Sequence, residues 1–449
     1  MRTNAYVSVH GVGVHDSGDL ARQTFDAVGR GADVVGGSVE VLGVPDDAPV
    51  ELVHRAQVNI PDHEPFIAEF YDGWWDARAR RPGFWVVLLW LLDVVPFALL
   101  SAVGGWFSDR WREASRRGRG HVVALLTTGV LLALTPLVAG LLLVGLPLAG
   151  LVPAWRSRLH PVMVEILGDV WLYRSDQLDE EVIPHLCRIV HLTQARADRV
   201  TLVGHSQGAE LSRRVALLTA PQRCVWVGSG EHQLNTVRML ATTRWLPLLV
   251  WPVVLAWPVF VHQMIHWAAG GFDADSGPLD AAWVTVRGLF VVTSMAFYGL
   301  VATQVVRWLQ SVPDDVGRVP PSRIWHVKSL LDPVSYGTIF PSQIADESPQ
   351  PERPEPEVPQ REVPERGRVW VRYVPAHAEE PWWREHVSYF SRPSTGAVLV
   401  EAGLDDPTPL WPKNPPRVPL WWVALAPAAT LGLILCAYLA GRWQLGLFA

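Results

Sequence analysis

RVTLVGHSQGAELSRRVALL, residues 199–218, is the stretch that decides the fold. Its first six residues form a β-branched, apolar run ending in glycine, as expected of a short buried strand. From Gln207 onward the pattern reads as a helix, expected over 207–219. Between them stands Gly204-His205-Ser206-Gln207-Gly208. A G-x-S-x-G pentapeptide alone is modest evidence, and a plain glycine-rich turn is the competing reading. Placed between a strand and a helix, it has the context of a nucleophile elbow. There a serine is held in a strained conformation and its hydroxyl stands above a sheet. Gly204 and Gly208 would let helix and strand approach without Cβ collisions.

Short strand-like runs flank this unit at Ala5–Val9, Cys224–Val227, Arg323–Lys328 and Val369–Val374, with a further helical pattern at 175–197. Strands alternating with helices predict a mostly parallel sheet covered on both faces. The first strand runs into His10-Gly11-Val12-Gly13. Backbone N–H groups of such a turn (Gly11, Val12), together with that of Gln207, could form an oxyanion hole. A glycine turn beside a buried structural histidine is the alternative.

VSVHGVGVH at 7–15, VTLVGHSQGAE at 200–210, DPVSYG at 332–337 and HVSYF at 386–390 together resemble the α/β-hydrolase family, in particular its lipase- and esterase-like members. The resemblance covers the polar segments of the chain and not its apolar runs. It implies the chain order nucleophile, acid, histidine, which Ser206, Asp332 and His386 follow. Asp332 comes after the strand-like RIWHVK, and His386 comes after VWVRYV at the start of a helix-like stretch. In this arrangement Ser206 attacks an acyl carbonyl and His386 moves the proton. Asp332 fixes the imidazole tautomer. Asp314 and Asp315 compete for the acid's role and His377 for the base's. His205 is expected to pack the turn rather than transfer protons, and Tyr389 and Phe390 to pack around the histidine.

The rest of the chain is unlike an ordinary soluble enzyme. Hydrophobic residues make up 49% of the 449 and charged residues 18%, and mean hydropathy is +0.16. The 23 tryptophans are of a type that favours membrane–water interfaces. Apolar runs at Phe84–Val103, Val122–Val152, Trp245–Ala268, Gly288–Val306 and Val418–Gly441 reach or approach the roughly 20 residues of a membrane crossing. The expected architecture is an α/β-hydrolase-like, mostly parallel sheet interrupted by transmembrane helical hairpins, with a transmembrane helix at the C-terminal end. Hydrolase segments are expected at 1–83, 153–244 and 307–417, hairpins at 84–152 and 245–306, and the last helix at 418–441. Residues 342–366, rich in Pro and Glu, read as a disordered insertion.

If Gly11, Ser206, Asp332 and His386 share one site, they lie on one side of the bilayer, so the apolar runs between them must pair as hairpins or lie along the surface. Arg and Lys near the runs favour a cytoplasmic catalytic side, although Arg110, Arg112, Arg116, Arg117 and Arg119 crowd a loop on the other side. The first residues show no basic and apolar signal-peptide pattern, so the chain is expected to be a multi-pass protein of the cell membrane.

A net charge of −6 argues against a nucleic-acid partner. Cys187, Cys224 and Cys436 are too dispersed for a disulfide framework or a CxxC metal site. His262 and His266, with Asp273 and Asp275 nearby, could hold a metal, but a polar cap on a helix end is the plainer reading. Asp93, a charge within an apolar run, is a site candidate or a helix-pairing group. No cofactor motif is present. The expected partners are the lipid bilayer and a hydrophobic acyl-ester substrate. A non-catalytic membrane scaffold with the same fold is the alternative. Oligomeric state is not readable from the sequence.

Overall fold

A computed structural model describes residues 1–13, 15–91, 145, 147–172, 177–230, 234, 320, 322–329, 332, 369–374, 386–404 and 410. The chain divides into two compact units. The first comprises Met1–Gly83, Val162–Leu234 and Pro313–Arg417, and the second comprises Phe84–Pro161, Asn235–Val312 and Val418–Ala449.

The first unit is built on eight strands: β1 (Arg2–Val9), β2 (Ser38–Leu42), β3 (Leu52–Asn59), β4 (Phe66–Asp72), β5 (Arg199–His205), β6 (Arg223–Val227), β7 (Arg323–Ser329) and β8 (Val369–Val374). Their order in the sheet is β2-β3-β4-β1-β5-β6-β7-β8. The pairings β4–β1, β1–β5, β5–β6, β6–β7 and β7–β8 are parallel, and β3 runs against both its neighbours. β1, β5, β6 and β7 are buried along nearly their whole length, because helices cover both faces of a parallel sheet and leave no polar side. At the edge, β2 is mostly exposed and β3 alternates.

On one face lie α1 (Asp19–Val34) and α5 (Pro393–Gly403), packed on each other and on the strands. The buried residues of α1 are Leu20, Ala21, Thr24, Ala27, Val28, Gly31 and Ala32, a stripe at helical spacing. Tyr6, Phe70, Val203, Val225, Trp325 and Val398 fill the core on this face. The two helices cross at Gly31 and Gly396: a Cβ on Gly396 would lie 2.0 Å from the Ala27 carbonyl oxygen. The other face carries α3 (Ile183–Gln194) and α4 (Gln207–Thr219), with the short α2 (Leu167–Leu172) before them.

The mostly parallel α/β sheet agrees with the sequence reading. Every strand expected from the sequence is present within two or three residues at its ends, and the helix at 207–219 is found at those bounds. The helix-like stretch at His386 is corrected: a 3₁₀ turn at Tyr389–Ser391 leads to a helix that starts at Pro393, where proline's fixed φ suits the first helical turn.

In the second unit, residues 84–91 and 147–151 are helical, and after a bend at Val152 a short helix follows at Pro153–His160. Among the described residues no helix is long and apolar enough to cross a membrane. The remainder of the first two apolar runs, the other three runs, the insertion 342–366, and Asp93, His262, His266, Asp273, Asp275, Asp314, Asp315 and His377 lie outside the described residues.

Candidate active site

The C-terminal ends of the central parallel strands carry the candidate residues. β5 ends at His205, and Ser206 makes the turn into α4 with φ 56° and ψ −120°. A positive φ on a β-carbon residue costs on the order of 1–3 kcal/mol and persists only where the surroundings enforce it. Here the end of β6 does so: the Ser206 N–H donates to the Val227 carbonyl at 3.0 Å. Ser206 is 6% exposed.

Two close approaches bring the end of β1 to this turn. A Cβ on Gly208 would lie 2.1 Å from the Val9 carbonyl oxygen, and one on Gly11 would lie 2.6 Å from Ser206 Cβ and 3.2 Å from its Oγ. No side chain fits at either position, so the His10–Gly13 turn rests directly against the serine. Gly204 is tight in the same way against the backbone of Gly208 and Ala209. The structure therefore brings Gly11, Val12, Gly204, His205, Ser206, Gln207 and Gly208 together.

His10 is buried and stacked on Trp75, with ring centroids 4.7 Å apart. Its Nδ1–H donates to the Gly11 carbonyl at 2.9 Å, and the Trp75 indole N–H donates to the His10 carbonyl at 3.1 Å. Burial lowers its pKa to about 3, so it is a neutral wedge under the turn. This fits the structural-histidine alternative for His10 itself while leaving the neighbouring N–H groups near the serine.

The acid and base meet from the next strands. Asp332 lies just past β7 and is buried. His386 Nδ1 lies 3.1 and 3.0 Å from its two carboxylate oxygens. With Nδ1–H donating, the lone pair is on Nε2, the tautomer a general base needs. Tyr389 donates its hydroxyl to Asp332 Oδ2 at 2.8 Å and accepts the Ser329 N–H at 2.8 Å. Its phenol is held far above its ordinary range by burial and by the Asp332 charge, so it stays protonated. His205 stacks on His386, centroids 5.1 Å apart, and its Nε2–H donates to the His386 carbonyl at 2.9 Å. Burial first, then the neighbouring His386, lowers its pKa to about 3. That agrees with a packing role for His205.

Two residues at the site were not found from the sequence. Asp169, on α2, is fully buried, and its Oδ2 accepts the Gly13 N–H at 2.8 Å. Arg81 donates through Nε to Asp169 Oδ1 at 2.8 Å and also pairs with Asp76. The Asp169 carbonyl accepts the Gln207 side-chain amide at 3.0 Å. Burial pushes the Asp169 carboxyl upward, opposed by Arg81 and by the Gly13 N–H. The available signal was an isolated acid in the apolar stretch LGDVWL. Among the described residues no cluster of three or more His, Cys, Asp or Glu is placed to hold a metal ion.

Comparison of the chain with protein-family models, with curated proteins and with solved structures finds no match.

Proposed function

We propose that the chain is a serine hydrolase of the esterase or lipase type, resembling the α/β-hydrolases, that cleaves acyl esters through Ser206, His386 and Asp332. The observation that carries this reading is the strained backbone of Ser206 at the tip of β5, a conformation that an ordinary strand–helix turn does not need.

In the reaction His386 Nε2 takes the Ser206 proton as Oγ forms a bond to the acyl carbon. The carbonyl oxygen gains negative charge and is stabilised by the N–H groups of Val12 or Gly11 and of Gln207, each such donor contributing about 3 kcal/mol. When the carbonyl re-forms, the ester C–O bond breaks and the leaving alkoxide takes the proton from His386, giving alcohol and acyl-enzyme. Water then repeats the sequence, losing a proton to His386 and releasing the carboxylic acid and Ser206.

A membrane-resident acyl chain as substrate, with the lipid bilayer as partner and the cell membrane as location, is supported by the five apolar runs. The described starts and ends of two of them add to this: Trp85, Leu89, Leu148 and Leu151 are exposed there, as is Trp155 in the helix that follows. Large exposed apolar and aromatic side chains in one region mark an interaction surface. A catalytic side facing the cytoplasm rests on the distribution of Arg and Lys.

One observation favours the non-catalytic reading: His386 Nε2 is buried without a hydrogen-bond partner, so the bond to Ser206 Oγ is not made. Catalytic hydrogen bonds commonly tighten only when substrate is bound. A fluorophosphonate probe decides between the two. Labelling of the wild type, lost in Ser206→Ala, together with hydrolysis of p-nitrophenyl butyrate and decanoate, is the result expected of the hydrolase. A folded wild type without label or turnover sinks it. A decanoate-to-butyrate ratio below one, with no cleavage of lipid vesicles, removes the lipid substrate and leaves the esterase.

A further inference from the structure

An oxyanion hole works only if its two donors stand at the spacing that one oxygen atom needs, and in this fold they come from different elements. The first donor lies in the turn after β1, while the second is at the start of α4, near residue 207. Loops after strands are free to shift by more than the tolerance of a hydrogen bond, so something must register the turn against the helix. The close approach of Gly11 to Ser206 sets one contact. It does not fix how the peptide planes from 11 to 13 are rotated, and that rotation aims the N–H groups.

Asp169 spans this gap. Its side chain accepts the Gly13 N–H at 2.8 Å, at the far end of the turn, where Gly13 has φ 104°. Its main-chain carbonyl accepts the Gln207 side-chain amide at 3.0 Å. One residue thus holds both sides of the hole. Arg81 holds Asp169 in turn, with Nε on Oδ1 at 2.8 Å, and its Nη2 reaches toward the Gly13 carbonyl at 3.4 Å. The same guanidinium pairs with Asp76, in the 3₁₀ turn Asp76–Arg78 that follows Trp75. The Trp75 indole holds the His10 carbonyl at the near end of the turn. The turn is therefore gripped at both ends by neighbours of one ion pair.

Resting on the serine-hydrolase reading, we infer that Asp169 is the positioning residue of the oxyanion hole. It registers the Gly11–Gly13 turn against Gln207, and Arg81 is its fixed counter-charge. Asp169 touches no reacting atom. Its effect passes through the backbone N–H groups it aims, so it belongs to transition-state stabilisation and not to substrate binding. A structural ion pair of equal strength would cost stability when removed and leave the chemistry of the folded fraction unchanged.

The test uses the full chain in detergent. Wild type, Asp169→Ala and Asp169→Asn are compared for fluorophosphonate labelling, for kcat and KM on p-nitrophenyl butyrate, and for inhibition by a trifluoromethyl ketone, whose hemiketal oxyanion mimics the intermediate. Displacing a reacting geometry by about 1 Å costs on the order of 10²-fold, and that is the expected fall in kcat for Asp169→Ala, with KM within about twofold. Trifluoromethyl ketone affinity falls by a similar factor. Asp169→Asn, which keeps an acceptor for the Gly13 N–H but loses the Arg81 charge, recovers part of both.

Equal kcat per folded molecule in Asp169→Ala overturns the inference, as does a loss confined to KM. If Asp169→Ala does not fold, Asp169→Asn carries the test: wild-type kcat and ketone affinity in that variant overturn the inference. A folded wild type that neither labels nor turns over ester overturns the hydrolase reading instead, and this inference with it.

Discussion

On one side of Ser206 the turn after β1 is fastened by charge: Asp169, Arg81 and Asp76 form a chain of ion pairs around Gly13. On the other side the His386 imidazole itself is held by a single carboxylate embedded among aromatic groups, while Arg30 and Arg392 fasten the segment that follows it without touching the ring. Tyr389 bridges Asp332 to the Ser329 N–H, His205 lies flat against the imidazole, and Phe390 packs edge-on to His205. The difference follows from what each side must do. The turn offers only backbone N–H groups, which need aiming but never change charge. The imidazole must gain and lose a proton in each cycle, and a second mobile charge beside it would shift its basicity. A protonated phenol and a neutral histidine orient it without that penalty.

The comparison can be broken most strongly at Asp332. Asp332→Asn leaves an amide that can present its NH₂ to His386 Nδ1, favouring the tautomer with the proton on Nε2, which cannot accept from Ser206. The expected loss in kcat for ester hydrolysis is about 10³–10⁴-fold, by the general behaviour of such triads, with the fold unchanged by circular dichroism. A loss below tenfold would mean that Asp332 is not the group that orients the base.

Next in size is an effect on stability alone. The segment after the histidine is anchored where α5 crosses α1, and there Gly396 leaves no room for a methyl group. Gly396→Ala is expected to destabilise the first unit by about 3 kcal/mol, the upper part of the range for overpacking, read as a shift in urea midpoint. The Arg30 side chain, on α1, donates to the Phe390 carbonyl at 2.6 Å. A shifted crossing would therefore also be felt at the His386 loop. An unchanged midpoint would show that the helices separate at little cost.

Tyr389→Phe tests the aromatic side directly. It removes the hydroxyl that joins Asp332 to the backbone of β7, so Asp332 Oδ2 and the Ser329 N–H each lose one buried hydrogen bond, a cost of about 1–3 kcal/mol. Turnover is expected to fall by roughly tenfold, since a loosely held acid orients the imidazole less well. If stability and turnover both match the wild type, the phenol is only a spacer.

Much of this was legible in the sequence because the central strands are buried on both faces and therefore read as unbroken apolar runs. AYVSV, RVTLV and CVWV contrast with everything around them. β2, β3 and β4 did not stand out. SVEVL and LVHRAQVN are half-exposed strands with polar residues scattered through them, and α1 carries Gly29 and Gly31 within its length. The site divides in the same manner. Ser206 announces itself because a nucleophile elbow imposes glycines on its own neighbours. Asp332 and His386 needed chain order as well. Asp169 lies 156 residues from the Gly13 N–H it accepts and 88 from Arg81. Nothing local requires an acid at that position; only the folded turn does.

The smallest expected effect separates the two sides by pH. His10, beneath the turn, has its pKa lowered to about 3 by burial, whereas in the unfolded chain it titrates near 6.5. Between those values the unfolded state binds a proton that the native state does not, so stability falls as pH falls, by about 1.4 kcal/mol per pH unit. Above about pH 7 both states are neutral and the contribution to the slope vanishes. His205, lowered to about 3 by burial and by His386, has the same sign and the same slope, and it contributes equally to wild type and to the variants compared below. Tyr389, neutral throughout this range, adds nothing. Asp169, raised by burial, acts with the opposite sign in the carboxylate range, so wild type must be compared with a variant rather than read alone. Urea midpoints at pH 7.5, 6.0 and 5.0 are expected to fall less steeply in His10→Gln than in wild type, by close to that slope, while Tyr389→Phe parallels wild type at a lower stability. Parallel lines for all three would mean that His10 is protonated in the native protein. The turn would then hold a charge beneath the oxyanion donors, and the contrast between the two sides of Ser206 would have to be redrawn.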